Sequence, residues 1–328
     1  MTHIMGRSLF NMDIDKKESL KAIDLFAGIG GIRLGFERAF GEKIDFVFAS
    51  EIDKYARETY CANFREEPFG DITQIDEKTI PAFDILLAGF PCQAFSVAGH
   101  RKGFEDTRGT LFFDVMRIAS HHKPKVIFLE NVKGLVGHDK GNTFKVIIET
   151  LKELGYSVNY QVLNAKDFGI PQNRERIYIV CFLNGEKIFE FPEQIELDKK
   201  IQDCLEEKID EKYYYTNKAM YDKIKDEVVS SDTIYQWRRQ YVRANKSNVC
   251  PTLTANMGTG GHNVPLVLDK CGIRKLTPRE CLNFQGYPPE FKMPKIVDSQ
   301  LYKQAGNSVA VAVIEEIAKL IKISLDTK

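Results

Sequence analysis

A chain of 328 residues is long enough to bury one large core and to carry a second, smaller lobe. Its 43% hydrophobic content excludes a disordered protein, and no apolar run approaches the roughly 20 residues that a membrane span needs. The 46 basic and 46 acidic residues cancel, which excludes a chain that is basic overall but not one with a basic face.

The N-terminus through about Ser19 is polar and mixed in charge, without the apolar centre of a signal peptide, so a cytoplasmic protein is expected. The cysteines are Cys61, Cys92, Cys181, Cys204, Cys250, Cys271 and Cys281. None forms a CxxC pair and the count is odd, so neither a zinc site nor a disulfide framework is indicated. Free thiols leave any one of them available as a nucleophile.

Residues 1–20 read as an extension, followed by alternating strands and helices. Lys21–Ala27 reads as a buried strand, and Gly31–Phe40 as a helix after a glycine turn. Asp45–Ser50 is strand, Lys54–Phe64 helix, Phe83–Ala88 strand, Leu111–His121 helix, Lys125–Leu129 strand and Phe144–Leu154 helix. Val158–Leu163 and Ile177–Phe182 are two more strands. Such alternation predicts an α/β domain over 21–191, a doubly wound sheet with ligands at the carboxyl ends of its strands. From Pro192 to about Lys270 the periodicity fails, and a smaller irregular domain is expected over 192–272. In 273–328, Leu276–Phe284 and Asn307–Ile323 read as helices, the second packing back onto the first domain through Val311, Ile314, Ile317, Leu320 and Ile321.

Three strand ends carry chemistry. Asp24-Leu25-Phe26-Ala27-Gly28-Ile29-Gly30-Gly31 runs from a strand through glycines into a helix, where the backbone can approach a ligand and free N–H groups face it. It is not the dinucleotide fingerprint, because Arg33 stands where the third glycine would be, and this sets a nicotinamide dehydrogenase aside. Glu51 ends the next strand, about 20 residues on, where a carboxylate can bind ribose hydroxyls. Together with Gly70-Asp71-Ile72 it favours a nucleoside cofactor. Gly89-Phe90-Pro91-Cys92-Gln93 then puts a cysteine after a strand, ahead of a loop, Ser96 to Gly109, that holds three glycines and four basic residues. Glu130-Asn131-Val132 ends another strand, expected to neighbour the one before Cys92. Cys92 and Glu130 would then share a cleft.

Charge is segregated beyond the first domain. Residues 201–232 hold nine Asp/Glu against five Lys/Arg, whereas 233–281 hold eight Lys/Arg against two Asp/Glu. The basic stretch is the kind of face that a phosphate backbone meets.

In this order, Phe26–Gly31, Pro91-Cys92-Gln93, Glu130-Asn131-Val132, Gln172-Asn173-Arg174-Glu175-Arg176 and Gln304-Ala305-Gly306-Asn307-Ser308-Val309 resemble the motifs of the C5-cytosine-specific DNA methyltransferases. Ala88–Ser96 and Gly103–Phe113 are similar to the short bacterial restriction–modification enzymes of the HhaI type. The resemblance runs from Lys21 to Leu325. It implies a Rossmann-like S-adenosylmethionine-dependent methyltransferase fold with a mixed sheet and a target-recognition domain. The reaction implied is transfer of a methyl group from S-adenosyl-L-methionine to carbon 5 of a flipped-out cytosine in a short duplex site.

Residue by residue, the resemblance makes Cys92 the nucleophile at carbon 6. Glu130 is the group at ring nitrogen 3, and Arg176 the donor to O2 with Arg174 beside it. The implied cofactor set is Phe26, Ala27, Gly28, Ile29, Gly30, Gly31, Glu51, Ile52, Asp71, Ile72, Pro91, Leu111, Asn307, Ser308 and Val309. Where the HhaI type has tryptophan after the ribose-binding glutamate, this chain has Ile52, which removes one aromatic contact. DNA contacts are expected from Ser96 and Arg108 in the loop, Thr252 at the backbone, and Arg238, Arg239 and Arg243 at bases. No metal is implied. Double-stranded DNA is the expected partner, a cognate restriction endonuclease the functional one, and a monomer the expected state. Two rivals stay open: a cytosine-5 methyltransferase acting on transfer RNA, and a catalytically silent DNA-binding relative.

Overall fold

A computed structural model describes residues 19–91, 111–185, 189–238, 240–245, 248–257 and 264–327. Its first domain is built on β1 (Leu20–Leu25), β2 (Ile44–Ser50), β3 (Ile85–Ala88), β4 (Val126–Val132), β5 (Tyr156–Asn164) and β6 (Glu175–Leu183). They form one sheet in the order β2-β1-β3-β4-β6-β5. The first four are mutually parallel, whereas β6 runs antiparallel to β4 and β5 antiparallel to β6. The mixed doubly wound sheet read from the sequence is therefore the observed one.

Both faces of the sheet are covered at its centre, which explains why β3 and the first part of β4 read as unbroken apolar runs rather than alternating ones. On one face Ala22, Ile85, Leu87, Val126, Phe128 and Val180 pack against α1 (Gly31–Phe40) and α8 (Val311–Asp326) through Phe36, Phe40, Ile314, Ile317 and Ile321. On the other, Ile23, Leu25, Leu86, Ile127, Leu129 and Ile179 pack against α3 (Leu111–His122) and α4 (Asn142–Glu153) through Phe112, Val115, Met116, Ile147 and Leu151. Helix α2 (Lys54–Phe64) starts at Asp53, whose side chain accepts from the N–H groups of Tyr55 and Ala56. No described helix is long and apolar enough to cross a membrane.

The region read as irregular contains a short helix, α5 (Tyr221–Ile224), and part of a second sheet. That sheet comprises β7 (Tyr235–Trp237), β8 (Val242–Ala244), β9 (Leu266–Asp269) and β10 (Gly272–Lys275), in the antiparallel order β10-β9-β7-β8. Its strands have only three or four residues, too few for alternation to register. Helix α6 (Pro278–Asn283) begins at Thr277 with a capping box closed by Glu280, close to the expected Leu276–Phe284.

The helix expected over Asn307–Ile323 is α8, which starts four residues later, and a further helix that was not expected precedes it. Helix α7 (Asp298–Asn307) ends where it was to begin, Ser308 is extended (φ −75°, ψ −179°), and α8 starts at Val311. The physical reason is a competing donor. The Ser308 carbonyl, which a continuous helix would pair four residues on, accepts from the Arg174 guanidinium instead.

Candidate active site

The turn after β1 bends the backbone hard. Phe26 and Gly28 both have φ 55°, and Gly30 has φ 84°. A left-handed Phe26 is unfavourable for a residue with a side chain, and such strain concentrates at functional turns. A Cβ at Gly30 would stand 2.1 Å from a ring carbon of Phe64, so only glycine fits there. The Glu51 carboxylate faces the turn from the end of β2. It accepts from the Gly28 N–H at 2.8 Å and the Asp53 N–H at 2.7 Å. Burial pushes its carboxyl above the ordinary value, and these N–H groups pull it back down.

Asp71 uses one oxygen to accept from the N–H and hydroxyl of Thr73, at 3.0 and 2.8 Å. Ile72 beneath it is buried, and Ile52 is 70% exposed. Asn307, Ser308 and Val309 arrive from the far end of the chain, and the Ser308 hydroxyl is hydrogen-bonded to that of Tyr287. Lys303 on α7 reaches across to Asp53, with 2.5 Å between its ammonium and the carboxylate. Against burial, this ammonium and the helix N–H groups hold Asp53 below the ordinary carboxylate range.

The neighbouring strand ends supply the second half. β3 and β4 are paired in parallel, with Ala88 opposite Leu129, so Gly89-Phe90-Pro91 and Glu130-Asn131-Val132 leave the sheet side by side. The buried Asn131 amide donates to the Phe90 carbonyl at 2.8 Å and ties the two together. On the antiparallel β4–β6 pair Glu130 lies opposite Tyr178 and Val132 opposite Arg176. Glu130 and Arg176 are thus diagonal neighbours, and their charged groups meet at 3.1 Å. The contact is an ion pair without hydrogen-bond alignment, since the same Glu130 oxygen has no hydrogen-bond partner among the described residues. Burial raises the Glu130 carboxyl above its ordinary value although Arg176 and Arg174 both oppose it.

Arg174 is placed differently from Arg176. Its two terminal nitrogens donate to the carbonyls of Leu253 (3.0 Å), Gly306 (3.2 Å) and Ser308. Burial, and then Arg176, bring it down to about 9.

The two halves line one cleft of about 420 Å³. Every residue of the expected cofactor set except Gly30 lines it, as do Glu130, Arg174 and Arg176. Gly30 instead carries the turn past Phe64. Cys92 lies outside the described residues, as do Ser96, Arg108 and Arg239, and Pro91 is the last described residue before it. In the second lobe Arg238 and Arg243 are exposed, and the Thr252 hydroxyl donates to the Asn173 carbonyl at 2.6 Å. Sequence reasoning assigned no role to Asn131, Lys303, Gln304 or Tyr287. Asn131 and Gln304 stood inside quoted motifs, whereas Tyr287 had no local signal.

A family model described as C-5 cytosine-specific DNA methylase matches residues 20–323. The chain is 58% identical over 315 residues to the Type II methyltransferase M.Bsp6I of Bacillus sp. (strain RFL6), covering 93% of this chain and 99% of that protein. It is 46% identical over 329 residues to the Type II methyltransferase M.HhaI of Haemophilus parahaemolyticus, covering 94% of this chain and 96% of that one. Among solved structures, the S. pombe Dnmt2 methyltransferase matches with a TM-score of 0.74 at 21% identity, over 94% of this chain and 99% of that chain, a likeness of fold. Two strand ends with a glycine turn and a buried glutamate, in a chain matched over nearly its whole length, lead to one assignment: the chain belongs to the C-5 cytosine-specific DNA methylases.

Proposed function

We propose that the cleft takes S-adenosyl-L-methionine on its glycine-turn side and a cytosine, rotated out of duplex DNA, on its Glu130 side. What supports this most directly is that one cleft joins the Glu51 carboxylate and the Phe26–Gly31 turn to Glu130 and Arg176. A volume of about 420 Å³ lies within the range of small-molecule sites. The residues suit the cofactor: Phe26 offers a ring for adenine, Glu51 acceptors for ribose hydroxyls, and Asp71 with Ile72 a polar and an apolar edge. Ala27, Ile29, Gly30, Gly31, Ile52, Pro91, Leu111, Asn307, Ser308 and Val309 complete the set.

When bound, the cofactor supplies an electrophilic methyl group on a sulfonium, which carbon 5 of the activated ring accepts, leaving S-adenosyl-L-homocysteine. Activation is the task of this chain's residues. The Cys92 thiolate adds to carbon 6, forming a C–S bond while the 5,6 double bond opens. Glu130 holds a proton at ring nitrogen 3 and accepts from the exocyclic amine, so the electrons that leave the double bond are neutralised. Arg176 donates to O2. After methylation a base takes the proton from carbon 5, the double bond re-forms and the Cys92 thiolate leaves. Burial, which raises the Glu130 carboxyl above its ordinary value, favours this role.

A cytosine inside a duplex is out of reach of a thiol, so the base is extruded. Ser96 and Arg108 would meet the DNA beside it, and Thr252 the backbone. Arg238, Arg239 and Arg243, within the proposed target-recognition domain 192–272, would read bases. Residues 1–20 form an extension, 21–191 the catalytic domain, and 273–328 the segment that returns to it. The protein acts in the cytoplasm as a monomer and, as the Type II names of its relatives suggest, protects sites from a cognate endonuclease.

Base-resolution mapping of 5-methylcytosine, after unmethylated genomic DNA is incubated with protein and S-adenosyl-L-methionine, tests the proposal. Methylation confined to one short motif is expected, and Cys92→Ser abolishes it. Methylation of transfer RNA in its place would establish the RNA rival. Folded, cofactor-binding protein that formed no covalent complex with 5-fluorocytosine DNA would establish the silent one.

A further inference from the structure

Arg174 is 2% exposed, yet among the described residues it has no carboxylate partner and its Nε has no partner at all. A buried guanidinium without a counter-charge is costly unless its hydrogen bonds do something particular. Here they join two remote segments. One terminal nitrogen holds Leu253, in the stretch proposed to meet DNA, and the other holds Gly306 and Ser308, in the stretch proposed to close over the cofactor. The guanidinium is planar and rigid, so a shift of one carbonyl is felt at the others.

The two segments also touch directly. A Cβ at Gly306 would lie 2.2 Å from Ala255 N and from Thr254 C, so the backbones are in contact there. The segment before Arg174 is fastened to the same place, since Cys250 N donates to Pro171 O at 2.6 Å and Asn173 N to Cys250 O at 2.7 Å. The Arg174 N–H itself is held by the Asn164 side chain at 2.9 Å.

We propose that Arg174 is a positioning residue that couples the DNA-facing segment around Leu253 to the cofactor turn at Gly306–Ser308, making duplex DNA and cofactor bind cooperatively. This rests on the placement of both ligands given above. The test is calorimetric titration of S-adenosyl-L-homocysteine into the full chain, alone and with an unmethylated duplex carrying the mapped site. The ratio of the two Kd values is the coupling. In the wild type DNA is expected to tighten binding about fivefold or more. In Arg174→Gln the ratio is expected within about twofold of one. Arg174→Lys, which keeps the charge but not the planar fork, should lose coupling as well, and it carries the test if the glutamine variant does not fold. A purely structural role would weaken both titrations together and leave the ratio alone. An uncoupled wild type, or a coupled Arg174→Gln protein that is merely slow in methyl transfer, overturns the proposal. Wild-type protein that failed to bind S-adenosyl-L-homocysteine even without DNA would instead remove the cofactor placement beneath it.

Discussion

Asp24 offers a stability experiment whose size follows from its surroundings. It lies on β1, is 0% exposed, and neither carboxylate oxygen has a hydrogen-bond partner among the described residues. Burial pushes its carboxyl from 3.8 up to about 8; Arg33 opposes the rise, and Glu66, Glu51 and Glu37 add to it. Between about pH 4 and pH 8 the folded chain therefore keeps a proton that the unfolded chain has released. Because the folded state binds more protons, this group makes stability fall as pH rises, by about 1.4 kcal/mol per unit. From pH 5 to pH 7 the loss is about 2.7 kcal/mol, and below about pH 4 it vanishes. Asparagine has nearly the same shape and no proton to release. Urea unfolding of wild type and Asp24→Asn at pH 5 and pH 7 should show the variant already about 1 to 2 kcal/mol more stable at pH 5. At pH 7 the variant should be about 4 kcal/mol more stable, the gap having widened by about 2.7 kcal/mol from pH 5. All other titrating groups are common to both proteins and cancel in the difference. Parallel pH profiles would refute the reasoning, because they would mean that Asp24 is ionised with a partner in the folded chain.

Three further outcomes are expected. Glu130→Gln keeps the shape but cannot carry the proton, so single-turnover methyl transfer should slow by about 10²- to 10⁴-fold, with S-adenosyl-L-homocysteine affinity within about twofold; a near-normal rate removes Glu130 from the chemistry. Glu51→Gln turns an acceptor facing two N–H groups into a partial donor, and cofactor affinity should fall at least about tenfold by titration; an unchanged Kd would mean that the ribose sits elsewhere. Gly30→Ala should lower the melting temperature more than Gly28→Ala, since a Cβ at Gly30 meets Phe64 at 2.1 Å while one at Gly28 meets nothing within 4 Å; equal melts would show that backbone conformation alone matters there.

What could be read from the sequence follows from how local each feature is. β1, β3 and β4 are buried on both faces, so IDL, ILLA and VIFL announce themselves, and the turn after β1 is written in its glycines. The Glu51 and Glu130 positions follow once strand ends are known. Helix α7 was missed because it buries Tyr302, Gln304, Ala305 and Gly306, a mixed set without an apolar stripe. β7–β10 were missed because three- or four-residue strands leave no period, and β7 meets β9 at only the Tyr235–Leu266 pair. The break at Ser308 depends on Arg174, 134 positions away, and no reading of neighbouring residues could supply it. The same holds for the separation of Arg174 from Arg176, which look equivalent in Gln172-Asn173-Arg174-Glu175-Arg176 and are not.

That difference comes from the direction of one strand. In a parallel sheet the carboxyl edge, where the site lies, is reached only by the ends of strands and the loops after them. β6 runs the other way, antiparallel to β4, so its beginning lies at that edge, with Arg176 opposite Val132. The first residues of β6 can thus enter the cleft, and Arg176 reaches Glu130 diagonally. The residues just before β6 must project beyond the edge, and there Gln172 pairs with Cys250 of the second lobe while its amide donates to Phe284 at 2.9 Å. Arg174 stands between these two environments, past the last sheet pairing and short of the lobe. Its guanidinium accordingly finds carbonyls from Leu253, Gly306 and Ser308 rather than a carboxylate. A parallel sixth strand would have sent its first residues to the opposite edge, leaving Glu130 without its cation and the two lobes without this joint. The reversed strand is how this fold brings a cation to Glu130 and fastens the second lobe with one short run of chain.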